Sequence, residues 1–66
     1  SLPSNHPHVA QSYRNIGLTY EELGDRHKAL EHLEKAAAIY RQILPVGHKD
    51  RVAVRKDIKY VSSKLK

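Results

Sequence analysis

Residues 13–40 read YRNIGLTYEELGDRHKALEHLEKAAAIY. Gly24 divides this stretch into two segments, each with apolar residues at helical spacing. Before it, Val9, Tyr13, Ile16, Tyr20 and Leu23 recur at steps of four, three, four and three, which places them on one helical face. After it, Ala29, Leu33, Ala36, Tyr40 and Ile43 form one stripe, and Leu30, Ala37 and Leu44 a second beside it. An apolar face that wide suits a helix with two neighbours. Gly24 is the residue expected in left-handed conformation after a helix, and Asp25 is expected to cap the next one. A turn this short folds two helices back on each other. Gly17 and Ala29, both small, would let the two backbones approach closely.

The spacing predicts a first helix over about 7–23 and a second over about 26–44, within a hairpin unit spanning 6–46. Residues 1–5 form a polar, proline-containing lead expected to be loosely ordered. Ser4 or Asn5 would cap the first helix, and Pro7 suits its first turn. Glu31 and Lys35 stand at i,i+4 in the orientation that favours a pair. Pro45 and Gly47 end the second helix. Residues 47–66 then supply a third helix over about 50–65, with Asp50 as its expected cap. Val54, Ile58, Val61 and Leu65 make a narrow apolar stripe, and Arg55, Lys56, Lys59, Lys64 and Lys66 lie away from it. One wet and one dry face suit a helix closing the end of a stack. The expected fold is all-α: an antiparallel helix-turn-helix with a third amphipathic helix, a fragment of an α-solenoid.

Composition bounds what such a chain can do. At 66 residues it is one domain at most, and a domain that small buries only about 60% of its unfolded surface. There is no cysteine to cross-link it, which fits an intracellular, cytoplasmic setting. No apolar run approaches the roughly 20 residues of a membrane span. Residues 1–46 balance five basic against five acidic side chains, so the whole net charge of +5 arises in 47–66, from seven basic and two acidic. A faint repeat accompanies this. His6 and Val9–Ala10 are echoed by His48 and Val52–Ala53, 42 or 43 residues on, and Ile16 by Ile58. A period of that length over two helices belongs to helical solenoids.

These residues resemble a tetratricopeptide repeat over about residues 7–45. The family's aromatic–large–Gly–Tyr pattern falls on Tyr13, Ile16, Gly17 and Tyr20, and its small–bulky–small pattern on Ala29, Leu33 and Ala36, with Gly24 at the turn. The late Pro45, with HPHVA opening one unit and GHKDRVA the next, is similar to the kinesin-light-chain-like subfamily and its period of roughly 42 residues. Lys59 and Ser62 depart from the pattern where Gly and Tyr belong, so the third helix resembles the capping helix of an array's last repeat.

The resemblance implies a protein–protein interaction scaffold whose concave groove takes a peptide or partner protein. By the same resemblance, Gln11, Arg14, Asn15, Leu18, Glu21 and Glu22 would face that groove. The third helix would add Ala53, Lys56, Asp57, Tyr60 and Lys64. Asn15 matches the position at which the subfamily holds peptide backbone, and an amide suits that task because it donates and accepts at once. Arg14 with Lys56 matches poorly the cation pair that chaperone-tail-binding members use for a carboxylate, since Leu18 occupies one of the required places.

Enzyme chemistry and cofactors are not indicated. His6, His8, His27, His32 and His48 show neither cysteine companions nor a metal-ligand spacing. Glu21 and Glu22 point about 100° apart on a helix and cannot work as a catalytic pair. No glycine-rich phosphate loop occurs. Two rivals to peptide binding remain. The basic residues 51–66 could meet nucleic acid or an anionic membrane, although only Tyr60 is there to stack on bases. An isolated hairpin with an unmated apolar side would also self-associate, as a homo-oligomer by stacking or by exchange of the third helix.

Overall fold

The computed structural model describes residues 7–65. The lead over residues 1–5, the cap at Ser4 or Asn5, His6 and Lys66 lie outside the described residues. Three helices and no strand make up the described part: α1, Pro7–Glu22; α2, Arg26–Ile43; and α3, Lys49–Lys64. The expected all-α class, a hairpin with a third helix, is the observed one.

The α1–α2 turn is closed by local bonds. The Asp25 N–H donates to the Tyr20 carbonyl at 2.9 Å and the Gly24 N–H to the Glu21 carbonyl at 3.0 Å, which ends α1 in the paired pattern of a left-handed C-terminal cap. Gly24 holds φ +88 for it. Asp25 then accepts from the Lys28 N–H at 3.2 Å and starts α2. A Cβ at Gly24 would meet nothing within 4 Å. Gly24→Ala is therefore expected to cost only the left-handed strain, about 1–2 kcal/mol, and Gly24→Asn less, both read by thermal melts.

Beyond α2, Leu44 is extended at φ −120 and ψ 147, as a residue before proline should be. Its carbonyl, left over at the helix end, accepts from Arg51 Nη1 at 3.0 Å. α3 begins one residue before its expected start, and its cap is His48 rather than Asp50. Gly47, at φ +87, turns the chain so that His48 Nδ1 accepts from the Asp50 N–H at 3.1 Å. Asp50 falls inside the first turn, where its charge favours the helix's positive end.

The core comprises Ala10, Ala29, Leu33, Ala36, Ala37, Tyr40, Val54 and Val61. α2 contributes five of these and packs against both neighbours, whereas α1 and α3 meet over a small area. On α1 Ala10 and Gly17 are buried and Tyr13 and Tyr20 pack half-buried against the core, whereas Ile16 and Leu23 of the expected stripe are 43% and 75% exposed. The cause is at Gly17, where a Cβ would stand 2.9 Å from Leu33 Cγ and 3.0 Å from the Ala29 carbonyl oxygen. The backbones meet where a side chain is missing, and Ile16 and Leu23 are rotated to the edges. The backbone extends 31 × 28 × 13 Å, broad in two directions and thin in the third.

Tyr40, 5% exposed, is the core's polar-tipped member. Burial raises its phenol above the ordinary value of 10.0, the Asp50 carboxylate raises it further, and the Arg14 guanidinium works the other way. In the unfolded chain the phenol ionises near pH 10. Above that pH the unfolded state sheds its proton first, so stability is intact below the unfolded value and lost as pH rises through the folded one. Melting temperature is expected to fall more steeply above about pH 10 in the native chain than in Tyr40→Phe. Parallel curves for the two would show that Tyr40 is not the responsible group.

Candidate peptide groove

The residues that the resemblance assigns to a groove lie on α1 and α3 with differing exposure. On α1, Gln11, Asn15 and Glu22 are exposed at steps of four and seven, on one side of the helix. Leu18 and Glu21 are half-buried, and Leu18 packs against the core. On α3, Lys56, Tyr60 and Lys64 are exposed, with Ala53 and Asp57 half-buried. The Lys64 ammonium lies 5.3 Å from the Tyr60 ring centroid, in reach of its negative face.

Arg14 joins the two helices. Its Nε donates to Asp57 Oδ2 at 2.7 Å, with the side chains 31% and 22% exposed. The guanidinium is thereby turned toward α3. A partly exposed pair adds little stability, about 0–1 kcal/mol, but it links α1 directly to α3. Arg14 and Lys56 matched the carboxylate-binding cation pair only poorly, and in the structure Arg14 is taken up by an acid within the chain, Asp57. The available signal was that Arg14 and Asp57 stand 43 residues apart, the spacing of the internal repeat.

A second feature follows the seam between α1 and α2. His32 lies between Tyr13 and Tyr20, with ring centroids at 6.1 and 5.3 Å. The ammonium of Lys35 lies 5.6 Å from the Tyr13 centroid and that of Lys28 5.6 Å from the Tyr20 centroid. His32 Nδ1–H donates to the Lys28 carbonyl at 2.8 Å, which fixes the imidazole. Lys35, which the spacing pairs with Glu31, forms no ion pair with it among the described residues. Residue types alone hid this ladder, because it depends on which faces α1 and α2 present to each other. Beside it, Asn15, Ile16, Thr19, Tyr20 and Leu23 line a shallow, largely apolar depression of about 380 Å³.

No three of His, Asp or Glu gather into a metal-holding group among the described residues. No described helix is long and apolar enough to cross a membrane. In comparisons with known proteins, the family model described as tetratricopeptide repeat matches residues 2–42. No curated protein and no solved structure matches the chain.

Proposed function

We propose, from the fact that the chain belongs to the tetratricopeptide repeat family, that it holds a peptide of a partner protein on its α1–α3 face. Repeats of this family generally mediate protein–protein contacts. The observation that carries the reading is the Arg14–Asp57 bridge, which braces a face whose α1 row, Gln11, Asn15 and Glu22, is open to a ligand. The Asn15 amide can accept from one peptide N–H and donate to the next carbonyl. Lys56 supplies charge and Tyr60 a flat apolar surface with a hydroxyl edge.

A finer assignment, to the kinesin-light-chain-like branch with its longer repeat, is supported by the helix starts. α1 begins at Pro7 and α3 at Lys49, 42 residues on. In that setting α3 serves as the capping helix of an array inside the cell.

Asn15→Ala combined with Gln11→Ala tests the groove. Arg14 is a poor choice, since its loss also removes the bridge to Asp57. A peptide selected from a displayed random library against the native chain is titrated calorimetrically into both proteins. Affinity is expected to fall by about tenfold or more in the double variant. Equal affinity would remove this face from the function.

The exposure of Ile16 and Leu23 favours a second reading, self-association through the apolar side of α1. Sedimentation would then show dimers or larger species at millimolar concentration, reduced by Ile16→Lys. A fully helical monomer at that concentration would end this reading.

A further inference from the structure

On the side of α3 turned away from Asp57, α2 and α3 enclose another groove. One part, of about 270 Å³, has Ala37, Arg41, Val54 and Arg55 among its lining residues, with Arg51 at its mouth. It continues into a part of about 440 Å³ between Glu34, Ala37, Arg41, Arg55 and Ile58. Ala37, Arg41 and Arg55 line both, so the two parts adjoin along the α2–α3 seam. Asp57 and Arg55 stand about 160° apart around α3, so this groove and the peptide face do not overlap.

Its chemistry is specific. The apolar surface open to a ligand comes chiefly from half-buried Ile58 and the methylene stems of the arginines, since Val54 and Ala37 beneath are buried in the core. The rims are cationic, with Arg41 rising from α2 and Arg51 and Arg55 from α3, against one carboxylate, Glu34. The bond from Arg51 Nη1 to the Leu44 carbonyl holds that guanidinium at the mouth. Among the described residues neither Arg41 nor Arg55 has an ion-pair partner. From Glu34 to Arg41, and from Arg51 to Ile58, each wall runs about 10 Å, two helical turns.

We propose that the α2–α3 groove docks two turns of an acidic amphipathic helix from a partner protein, its apolar stripe on Ile58 and the methylene stems of Arg41 and Arg55, and its carboxylates on their guanidinium groups. An extended segment would leave peptide N–H and carbonyl groups against an apolar floor between helices whose own backbone groups are already bonded. A helix brings its backbone bonds with it. The guanidinium fork pairs with carboxylates in two-point geometry. Nucleic acid is disfavoured because none of the lining residues is aromatic. A membrane is disfavoured because a groove does not present a bulky apolar ridge to lipid.

The probe is a synthetic peptide of about 16 residues, long enough to be helical, with leucines along one face and glutamates beside them. Its twin carries lysine at every glutamate position. The glutamate peptide is expected to bind the full chain at least about tenfold tighter than the twin, with affinity that weakens as salt rises. Arg41→Glu and Arg55→Glu are each expected to cost about tenfold or more, whereas Lys56→Glu and Asn15→Ala leave binding unchanged. Circular dichroism verifies the fold of each variant, and Arg41→Gln and Arg55→Gln carry the test should charge reversal unfold the chain.

Equal binding of the twins, or no binding of the glutamate peptide, overturns the proposal. So does stronger binding to phosphatidylserine vesicles or single-stranded DNA, or a loss that tracks Lys56→Glu. Self-association that Arg55→Glu abolishes and the peptide does not displace would assign the groove to a second copy and overturn it too. Because Asn15→Ala acts on the other face, failure here is separable from failure of the peptide groove.

Discussion

Replacing Gly17 with leucine is expected to abolish the cooperative fold. A single added carbon at Gly17 already stands 2.9 Å from Leu33 Cγ, 3.0 Å from the Ala29 carbonyl oxygen and 3.2 Å from Leu33 Cδ2. Two of these atoms belong to a side chain with no exposed surface and the third to the backbone of the facing helix. Leucine adds three more carbons and can be housed only if α1 and α2 separate, which opens the Ala10, Ala29 and Ala36 contacts together. Overpacking in a close-packed interior costs about 1–3 kcal/mol even where some adjustment is available. A domain this small seldom has more than about 3–5 kcal/mol to lose. Gly17→Ala is the graded control. It gains up to about 1 kcal/mol of helix propensity against that overpacking, so its melt is expected to fall by several degrees while remaining cooperative. Thermal melts followed by circular dichroism decide it; a leucine variant that melts like the native chain would mean the helices do not meet at this point.

How much of this was legible depends on the range over which each signal acts. The hairpin was, because its determinants are local: the left-handed glycine, the capping aspartate three residues before the N–H it accepts from, and the 3.6-residue period on either side. The contact of Gly17 with Ala29 could also be read, since two small residues at helical spacing on either side of a short turn imply close approach. The buried line of α1 was not. Periodicity marks Tyr13, Ile16 and Tyr20 as a stripe, but the side facing α2 is chosen by where the backbones can come closest, and that choice leaves Ile16 at the edge. The His48 cap was missed because histidine is an uncommon cap, and its use here depends on the conformation that Gly47 imposes. Arg14–Asp57 and the Tyr13–His32–Tyr20 ladder join residues on different helices, so their geometry exists only once the helices are placed.

The openness of the molecule follows from the same residues. Four of the eight core side chains are alanines, so the helices lie close but bury little apolar bulk each. Larger apolar groups are left at the edges: Ile16 and Leu23 beside the α1–α2 seam, Ile58 in the α2–α3 groove. Small residues inside and larger ones at the rims suit a module whose remaining stabilisation comes from whatever it docks against. The two candidate docking surfaces flank α3 on opposite sides, so a ligand on either one would also hold α3 to the hairpin.

Leu33→Ala is expected to have the second-largest effect. Leu33 is among the largest fully buried side chains, with no exposed surface, and much of its surroundings is alanine. Truncating such a residue costs about 2–5 kcal/mol, the upper end applying where the cavity cannot collapse. Here Ala29 and Ala36 on the same helix have no length to fill the gap, and Gly17 opposite has no side chain at all. The same substitution also removes two of the three atoms that a Cβ at Gly17 would strike. The double variant Gly17→Ala with Leu33→Ala is therefore expected to be more stable than the sum of its parts, by a coupling of about 0.5–3 kcal/mol, the range for residues in direct contact. Denaturant melts of the four proteins in the cycle measure it. Strict additivity would mean that the Ala29 carbonyl alone limits the approach of the helices and that the Leu33 side chain can move aside at no cost, in which case a glycine at position 17 would be explained by the backbone and not by the leucine packed over it.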